Sequence, residues 1–329
     1  MRRFLYPIFL SFVLLSYSCV SSSDSNNNSN SWNNGGNHDV IDDSDNNDTD
    51  DDTQDTTNNN NNQNNNNNTN NWTPPQNSLI YANTKTTLYY IDPSDSTGLV
   101  EIGDFSGDCV NGSGFYDLAL DEDRNLLGIA AEGLYSIDKN TADCTLLYQF
   151  QATDPHFMSL SYVKGVKYDD PSQDVLIGAS AEDGEWVEID PNAELGQIFV
   201  GLGYYDFPDY KWVSSGDIVS VQINSTDYRT YATLKCSSDY KLANPDGSYC
   251  ESDYLAEIDP KTGNARLIGP TGYTKIFGLG FWGNKVYGFT GNGEYITIDV
   301  STGTATLQEE YSDLQFWGAG TTTKPYIVQ

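Results

Sequence analysis

The chain has 329 residues, with 47 acidic side chains against 16 basic ones and a formal net charge of −31 at neutral pH. A surface of that sign repels nucleic-acid phosphates and anionic lipid headgroups, so DNA and RNA are not expected partners, while cationic or neutral ones, glycans among them, remain. There are two histidines, His38 and His156, and no HExxH, GxSxG or phosphate-loop pattern, so a histidine-rich metal centre, a serine hydrolase and a nucleotide site all lack a motif, and no cofactor is expected.

Arg2 and Arg3 open the chain with positive charge. The apolar run at 4–15 is too short to span a bilayer and has the length of a signal-peptide core, which makes 1–18 a signal segment. The next residues, Ser16-Tyr17-Ser18-Cys19, resemble the lipobox of bacterial lipoproteins, in which a small residue directly precedes the cysteine that takes the lipid. The leucine of that pattern stands one place early, as Leu15. The resemblance implies that Cys19 becomes a lipidated N-terminus and that the protein is anchored to a membrane by its acyl chains. Val20, where an Asp would imply inner-membrane retention, implies the outer membrane or cell surface. The alternative is a signal peptide cleaved near Ser18 and a secreted, soluble product.

From Cys19 to residue 77 the composition collapses to Ser, Asn and Asp, with Asn runs at 58–62 and 64–68. Such a segment cannot bury a core and is expected to stay disordered, and its ten unbalanced aspartates are expected to extend it as a tether.

The rest of the chain, 78–329, is built on a recurring strand that ends in Ile-Asp. It reads Leu88-Tyr89-Tyr90-Ile91-Asp92, then Leu134-Tyr135-Ser136-Ile137-Asp138, Trp186-Val187-Glu188-Ile189-Asp190, Leu255-Ala256-Glu257-Ile258-Asp259 and Tyr295-Ile296-Thr297-Ile298-Asp299. A recurrence at about 40–50 residues, with one wider step before Ile258, is the spacing of β-propeller blades. Short Val/Ile/Tyr-rich runs between Gly, Asn, Asp and Pro turns read as all-β. Each unit aligns as four strands. The inner ones are small and glycine-rich, at 117–119, 165–167, 217–219, 278–280 and 318–320, and the Ile-Asp strand comes third. The first unit lacks its inner strand and the last has only an inner strand, so the two fragments complete one blade and tie the ends together. Five blades are expected. A sixth, degenerate blade near Cys236–Cys250 or from Tyr326-Ile327-Val328 is the alternative. The units resemble secreted bacterial propellers with Leu-Tyr-x-Ile-Asp-x-x-Thr-Gly repeats, a resemblance that implies architecture and leaves activity open. The repeated Asp is expected to begin an Asx turn at the strand end.

An exported protein can keep disulfides, and four cysteines remain once Cys19 is set aside. Cys236 and Cys250 bracket a turn-rich excursion and are expected to pair. Cys109 follows one blade's last strand and Cys144 lies in the last strand of the next, so this pair is expected to staple neighbours. Asp121, Asp123 and Asn125 alternate oxygen ligands and could hold calcium, or could form a tight hairpin turn. The most suggestive ligand-binding stretch runs between an outer and an inner strand: Tyr204, Tyr205, Asp206, Phe207, Asp209, Tyr210 and Trp212. Flat aromatic faces beside carboxylate acceptors suit a sugar or a peptide. Trp186, Trp282 and Trp317 occupy repeat positions and are expected in the core.

The expected function is therefore a surface-tethered recognition or scaffold propeller for a glycan, peptide or protein. An extracellular glycosidase or lyase is an alternative, with Asp117 and Asp217 the first carboxylates to consider. A structural envelope protein is another.

Overall fold

The computed structural model describes residues 78–110, 112–194, 196–224, 226–325 and 327; the signal segment, Cys19 and the tether lie outside the described residues. The described chain is a five-bladed β-propeller. Blade I joins the two ends: Gly318–Gly320 is its inner strand, followed outward by Ile80–Asn83, Thr87–Ile91 and Leu99–Asp104. Tyr81 pairs with Gly320 and Asn83 with Gly318, the closure expected from the incomplete first and last units. Blade II comprises Phe115–Leu120, Leu126–Ala130, Gly133–Ile137 and Asp143–Gln149, with the two-residue strand Ser106–Gly107 added parallel to its outer edge. Blade III is Ser159–Val163, Val175–Ala179, Glu185–Ile189 and Phe199–Tyr204. Blade IV is Trp212–Gln222, Tyr228–Cys236, Tyr254–Ile258 and Ala265–Pro270. Blade V is Ile276–Trp282, Lys285–Thr290, Glu294–Ile298 and Ala305–Glu310. Each inner strand lies against the next, and that of blade V closes on that of blade I.

Burial follows distance from the axis. The second strand Leu126–Ala130 is buried throughout, because both faces of a blade pack on neighbours. The outer strand Ala305–Glu310 is exposed along most of its length and reads polar.

The repeat motif has a physical account at every position. Its isoleucine ends the third strand of each blade and is buried: Ile91, Ile137, Ile189, Ile258 and Ile298. The following Asp accepts the N–H two residues on in all five blades, from Ser94 (2.9 Å), Asn140 (2.8 Å), Asn192 (2.9 Å), Lys261 (3.0 Å) and Ser301 (2.7 Å). These are the expected Asx turns. The Thr-Gly that follows is an inter-blade contact. A Cβ at Gly203, in blade III's outer strand, would stand 2.0 Å from the Thr262 carbonyl oxygen of blade IV, and one at Gly269 would stand 2.1 Å from that of Thr302 in blade V. These two turns, of blades IV and V, are bedded on a glycine of the preceding blade, where no side chain fits.

Two expectations are corrected. The inner strand of blade III is Ser159–Val163, not 165–167. Gly165 has φ +83°, a turn conformation, and Ser159 and Ser161 supply the small residues that the axis needs. No sixth blade occurs among the described residues. The excursion after Cys236 instead contains a short helix, Ser238–Ala243, capped by the Ser237 side chain. Tyr326 and Val328 lie outside the described residues.

The segment after Gly320 crosses one end of the axis and touches the other four blades. Thr322 bridges to Leu120 and its hydroxyl donates to the Asp121 carbonyl at 2.8 Å, both in blade II. The Thr323 hydroxyl donates to Asp174 of blade III at 2.9 Å, and the Gln222 N–H of blade IV donates to the Thr323 carbonyl at 2.9 Å. The Thr321 hydroxyl reaches the Phe281 carbonyl of blade V at 3.5 Å. Ile327 then enters the core beside Val221 and Phe281. Beside this crossing, Lys164 is buried between Glu122 (2.8 Å) and Asp174 (2.9 Å), and Lys324 reaches Glu122 at 2.7 Å. We call this the sealed face.

Candidate binding face

The opposite face carries the connections from each outer strand to the next inner strand and from each second strand to the third. Three of its second-to-third connections are two- or three-residue turns, whereas that of blade IV, 237–253, is an insertion closed by the Cys236–Cys250 disulfide. The Cys109–Cys144 disulfide joins the outer edges of blades I and II. Both expected pairings are present.

Between the two faces the axis is filled. Asp117 and Asp217 are fully buried and hydrogen-bond one another. Asp117 also accepts the N–H groups of Leu118 (2.8 Å) and Leu160 (2.7 Å), and Asp217 accepts those of Ile218, Leu279 and Ala319. Burial, with the neighbouring Asp217 charge, holds the Asp117 carboxyl well above the usual carboxylate range, and burial does the same to Asp217. Two buried carboxyls in hydrogen-bond contact do not both ionise, so the pair holds a proton. Each joins inner strands of different blades, and neither is open to a sugar. Gly318 lies against this pair, where a Cβ would meet the Asp117 Cα at 2.5 Å.

The expected aromatic loop divides into an inner and an outer half. Tyr205 and Trp212 are core residues, 1% and 8% exposed. The Tyr205 N–H donates to the Gly184 carbonyl (3.1 Å), its ring packs edge-on against Trp186 (5.8 Å), and burial pushes its hydroxyl pKa up. Trp212 begins the long inner strand of blade IV and packs on Tyr254 at 4.9 Å. The other three rings form a cluster of their own. Tyr204 meets Tyr210 at 5.3 Å, Phe207 meets Tyr210 at 5.7 Å, and Tyr204 and Phe207 are 6.4 Å apart. Phe207 is 64% exposed and Tyr210 39%. The Tyr210 N–H donates to the Asp206 carbonyl (2.7 Å), closing the loop, and Asp209 pairs with Lys211 at 2.8 Å. The Glu185 charge and burial raise the Tyr204 hydroxyl pKa.

The insertion is joined to this loop. The Ser237 N–H donates to the Lys211 carbonyl (2.7 Å), and the Lys211 ammonium lies 5.9 Å from the Tyr240 ring. Tyr240 packs on the core, while Leu242 and Tyr249 stand 80% and 55% exposed. Loop and insertion together form a crest of apolar side chains among the carboxylates of Asp206, Asp209, Asp239, Asp246 and Glu251. Sequence reading reached the loop half of this crest and missed Leu242 and Tyr249.

A second group of rings was missed altogether. Tyr116, Phe277 and Trp317 stand half-buried where the inner strands of blades II, V and I begin, on the same face. Trp317 was expected in the core, as Trp186 is, at 0% exposure; Trp282 is half-buried. His156 is exposed in the connection from blade II to blade III. On the sealed face, the Asp121 carboxylate accepts both the Asn125 N–H (2.8 Å) and its side-chain amide (2.7 Å), and Asp123 is exposed in the same hairpin turn.

No family model and no curated protein matches this chain. Among solved structures it is similar to a protein of unknown function from Bacteroides caccae (TM-score 0.36, 9% identity), covering 73% of this chain and 77% of that one. It is also similar to Citrobacter koseri AztD (0.30, 14%), covering 75% and 60% of the two chains. An auxiliary nutrient binding protein from Bacteroides thetaiotaomicron (0.39, 11%) is covered over 55% of its length by 72% of this chain. At such identities nothing about ligand or activity passes from these proteins to this one.

Proposed function

We propose that the protein is an exported recognition module, held at a cell surface through Cys19 and its tether, that binds a glycan, peptide or protein with the crest of its open face. The observation that carries this reading is the asymmetry of the propeller. One end of the axis is crossed by the chain's own C-terminal segment and carries the exposed Tyr168 ring beneath the Lys261 ammonium, while the other displays a group of large apolar side chains left largely in water, Phe207, Tyr210, Leu242 and Tyr249. Exposed aromatic surface edged with carboxylates is the composition of a binding patch. The insertion has a six-residue helix with no fully buried residue, held to the core by the Tyr240 ring and closed by the Cys236–Cys250 disulfide. The two disulfides accord with export to an oxidising compartment.

The test is a glycan and peptide array probed with the purified protein, its Phe207→Ala variant and its Leu242→Ser variant. The reading expects binding by the parent protein and loss in both variants at unchanged melting temperature. Binding that survives both substitutions would remove the crest from the function. Hydrolysis of any arrayed glycan would replace a recognition role with an enzymatic one.

A further inference from the structure

We propose that the mouth of the propeller axis on the open face is a second binding site, with Trp317 as its platform and a neutral pyranose ring as its ligand. The proposal goes beyond the crest and does not depend on it.

The argument starts from register. Phe277, Trp317 and Tyr116 each stand directly before the residue that enters the crowded axis: Gly278, Gly318 and Asp117. They come from three consecutive inner strands, those of blades V, I and II. Phe277 and Trp317 have centroids 6.0 Å apart, and Tyr116 and Trp317 also 6.0 Å. The two other blades place Gly216 and Met158 at the same position, so the rings form an arc rather than a closed ring. The core does not need them. The preceding residues, Ile276, Phe316 and Phe115, are 0%, 0% and 1% exposed and do the packing. In blades V and II the ladder slips at this point, between Ile276 and Gly278 and between Phe115 and Asp117. A bulge adds a residue that has no partner and re-aims its side chain, a device found beside binding sites. Here each bulge residue is an aromatic.

Beside Trp317 a groove of about 390 Å³ opens between the 84–87 turn and the 313–317 run. Lys85, Asp313, Gln315 and Thr86 line it with the ring, and so bring donors and acceptors to the edge of an aromatic face. The turn is preformed: the Thr84 hydroxyl accepts the Thr87 N–H at 3.1 Å, and the Lys85 carbonyl accepts the Phe115 N–H at 3.1 Å. Gly114, at φ +86°, lets the chain pass so close that a Cβ there would lie 2.5 Å from that carbonyl oxygen.

Charge selects the ligand. The Lys85 ammonium sits 4.2 Å from the Trp317 ring centroid, so a cation approaching that face meets a like charge. An anionic sugar meets Asp313 in this groove, Asp104 and Glu132 in the depression on the other side of Lys85, and the net charge of −31. A neutral ring takes the indole face once the exposed Lys85 side chain swings to its edge, exchanges hydrogen bonds there with Gln315, Asp313 and Lys85, and meets neither penalty.

The experiment is calorimetric titration of the purified protein with four neutral hexasaccharides (cellohexaose, maltohexaose, mannohexaose and chitohexaose) and with hexagalacturonate. The variants are Trp317→Ala, Gln315→Ala and, as the crest control, Phe207→Ala. At least one neutral hexasaccharide is expected to bind and hexagalacturonate is not. Trp317→Ala is expected to weaken that binding about tenfold or more, Gln315→Ala about threefold, and Phe207→Ala less than about twofold. Gln315 is exposed, so its variant keeps the test decisive should Trp317→Ala fold poorly. Binding lost in Phe207→Ala but kept in Trp317→Ala and Gln315→Ala would overturn the mouth site and leave the crest reading standing. Absence of neutral-sugar binding, or equal binding of hexagalacturonate, would also overturn it.

Discussion

The two faces of this propeller are made from the same repeat and have become opposites. On the sealed face each Ile-Asp strand runs into an Asx turn, those of blades IV and V bed on their neighbours, and the C-terminal segment crosses the axis to bond with the other four blades. Polar groups there are consumed by the protein itself: Lys164 is buried between two carboxylates and Thr323 is 1% exposed. On the open face the connections vary in length, one carries a disulfide-closed insertion, and aromatic side chains are left partly in water. Regular contacts give stability and loops on a rigid scaffold give recognition, so on the proposed reading stability belongs to one face and binding to the other.

The comparison breaks most visibly at the axis. Replacing Asp217 with Ala would leave the Ile218, Leu279 and Ala319 N–H groups unpaired and Asp117 without its partner. The expected cost is about 3–5 kcal/mol in urea unfolding, the range for breaking a buried, bonded charge network. A change below about 1 kcal/mol would mean that the inner strands hold without the pair. On the sealed face, Ile327→Ala removes the apolar anchor of the crossing segment and is expected to cost about 2–4 kcal/mol by the same measurement.

The pH dependence is a third test. Burial raises both axial carboxyls, so the folded state holds protons that the unfolded chain gives up near the ordinary carboxylate value. Their stabilisation is complete below that value and is lost as pH rises toward the folded values. The urea midpoint should therefore fall as pH rises above the ordinary carboxylate value of about 4, and Asp217→Asn should flatten that slope. An unchanged slope in the variant would assign the dependence to surface charge. The smallest effect belongs to the open face: Phe207→Ala is expected to change stability by less than about 0.5 kcal/mol, because its ring is 64% exposed. A larger loss would make the crest a structural element.

The sequence makes the sealed face far more legible than the open one. Ile-Asp repeats at the end of all five third strands because five turns need the same Asx bond, with Thr-Gly completing the turn in blades IV and V, so blade count, closure and the Asx turns could all be read from its recurrence. The disulfides could be read from where the cysteines fall between strands. The open face has no such redundancy. Tyr205 and Trp212 sit in a loop-like stretch but are drawn inward, Tyr205 by the Gly184 carbonyl and Trp212 by the start of an eleven-residue buried strand. Tyr116 and Phe277 escaped notice because bulges break the period-two alternation that marks a strand's two sides. Trp317 reads in sequence like Trp186, a core residue of a repeated strand, and only the assembled ring of blades shows it at the axis mouth. The one signal that pointed there was an aromatic directly before each small axial residue in three units.

The division between the faces is tested most directly by measuring ligand binding in two matched surface variants, Phe207→Ala on the crest and Asp123→Ala in a turn of the sealed face. Both residues are exposed, so both proteins should melt as the parent does. The account predicts that, on a glycan and peptide array, Phe207→Ala loses the parent's crest ligand and Asp123→Ala keeps it. Loss of binding in Asp123→Ala with retention in Phe207→Ala would contradict the account and place recognition on the face described here as sealed.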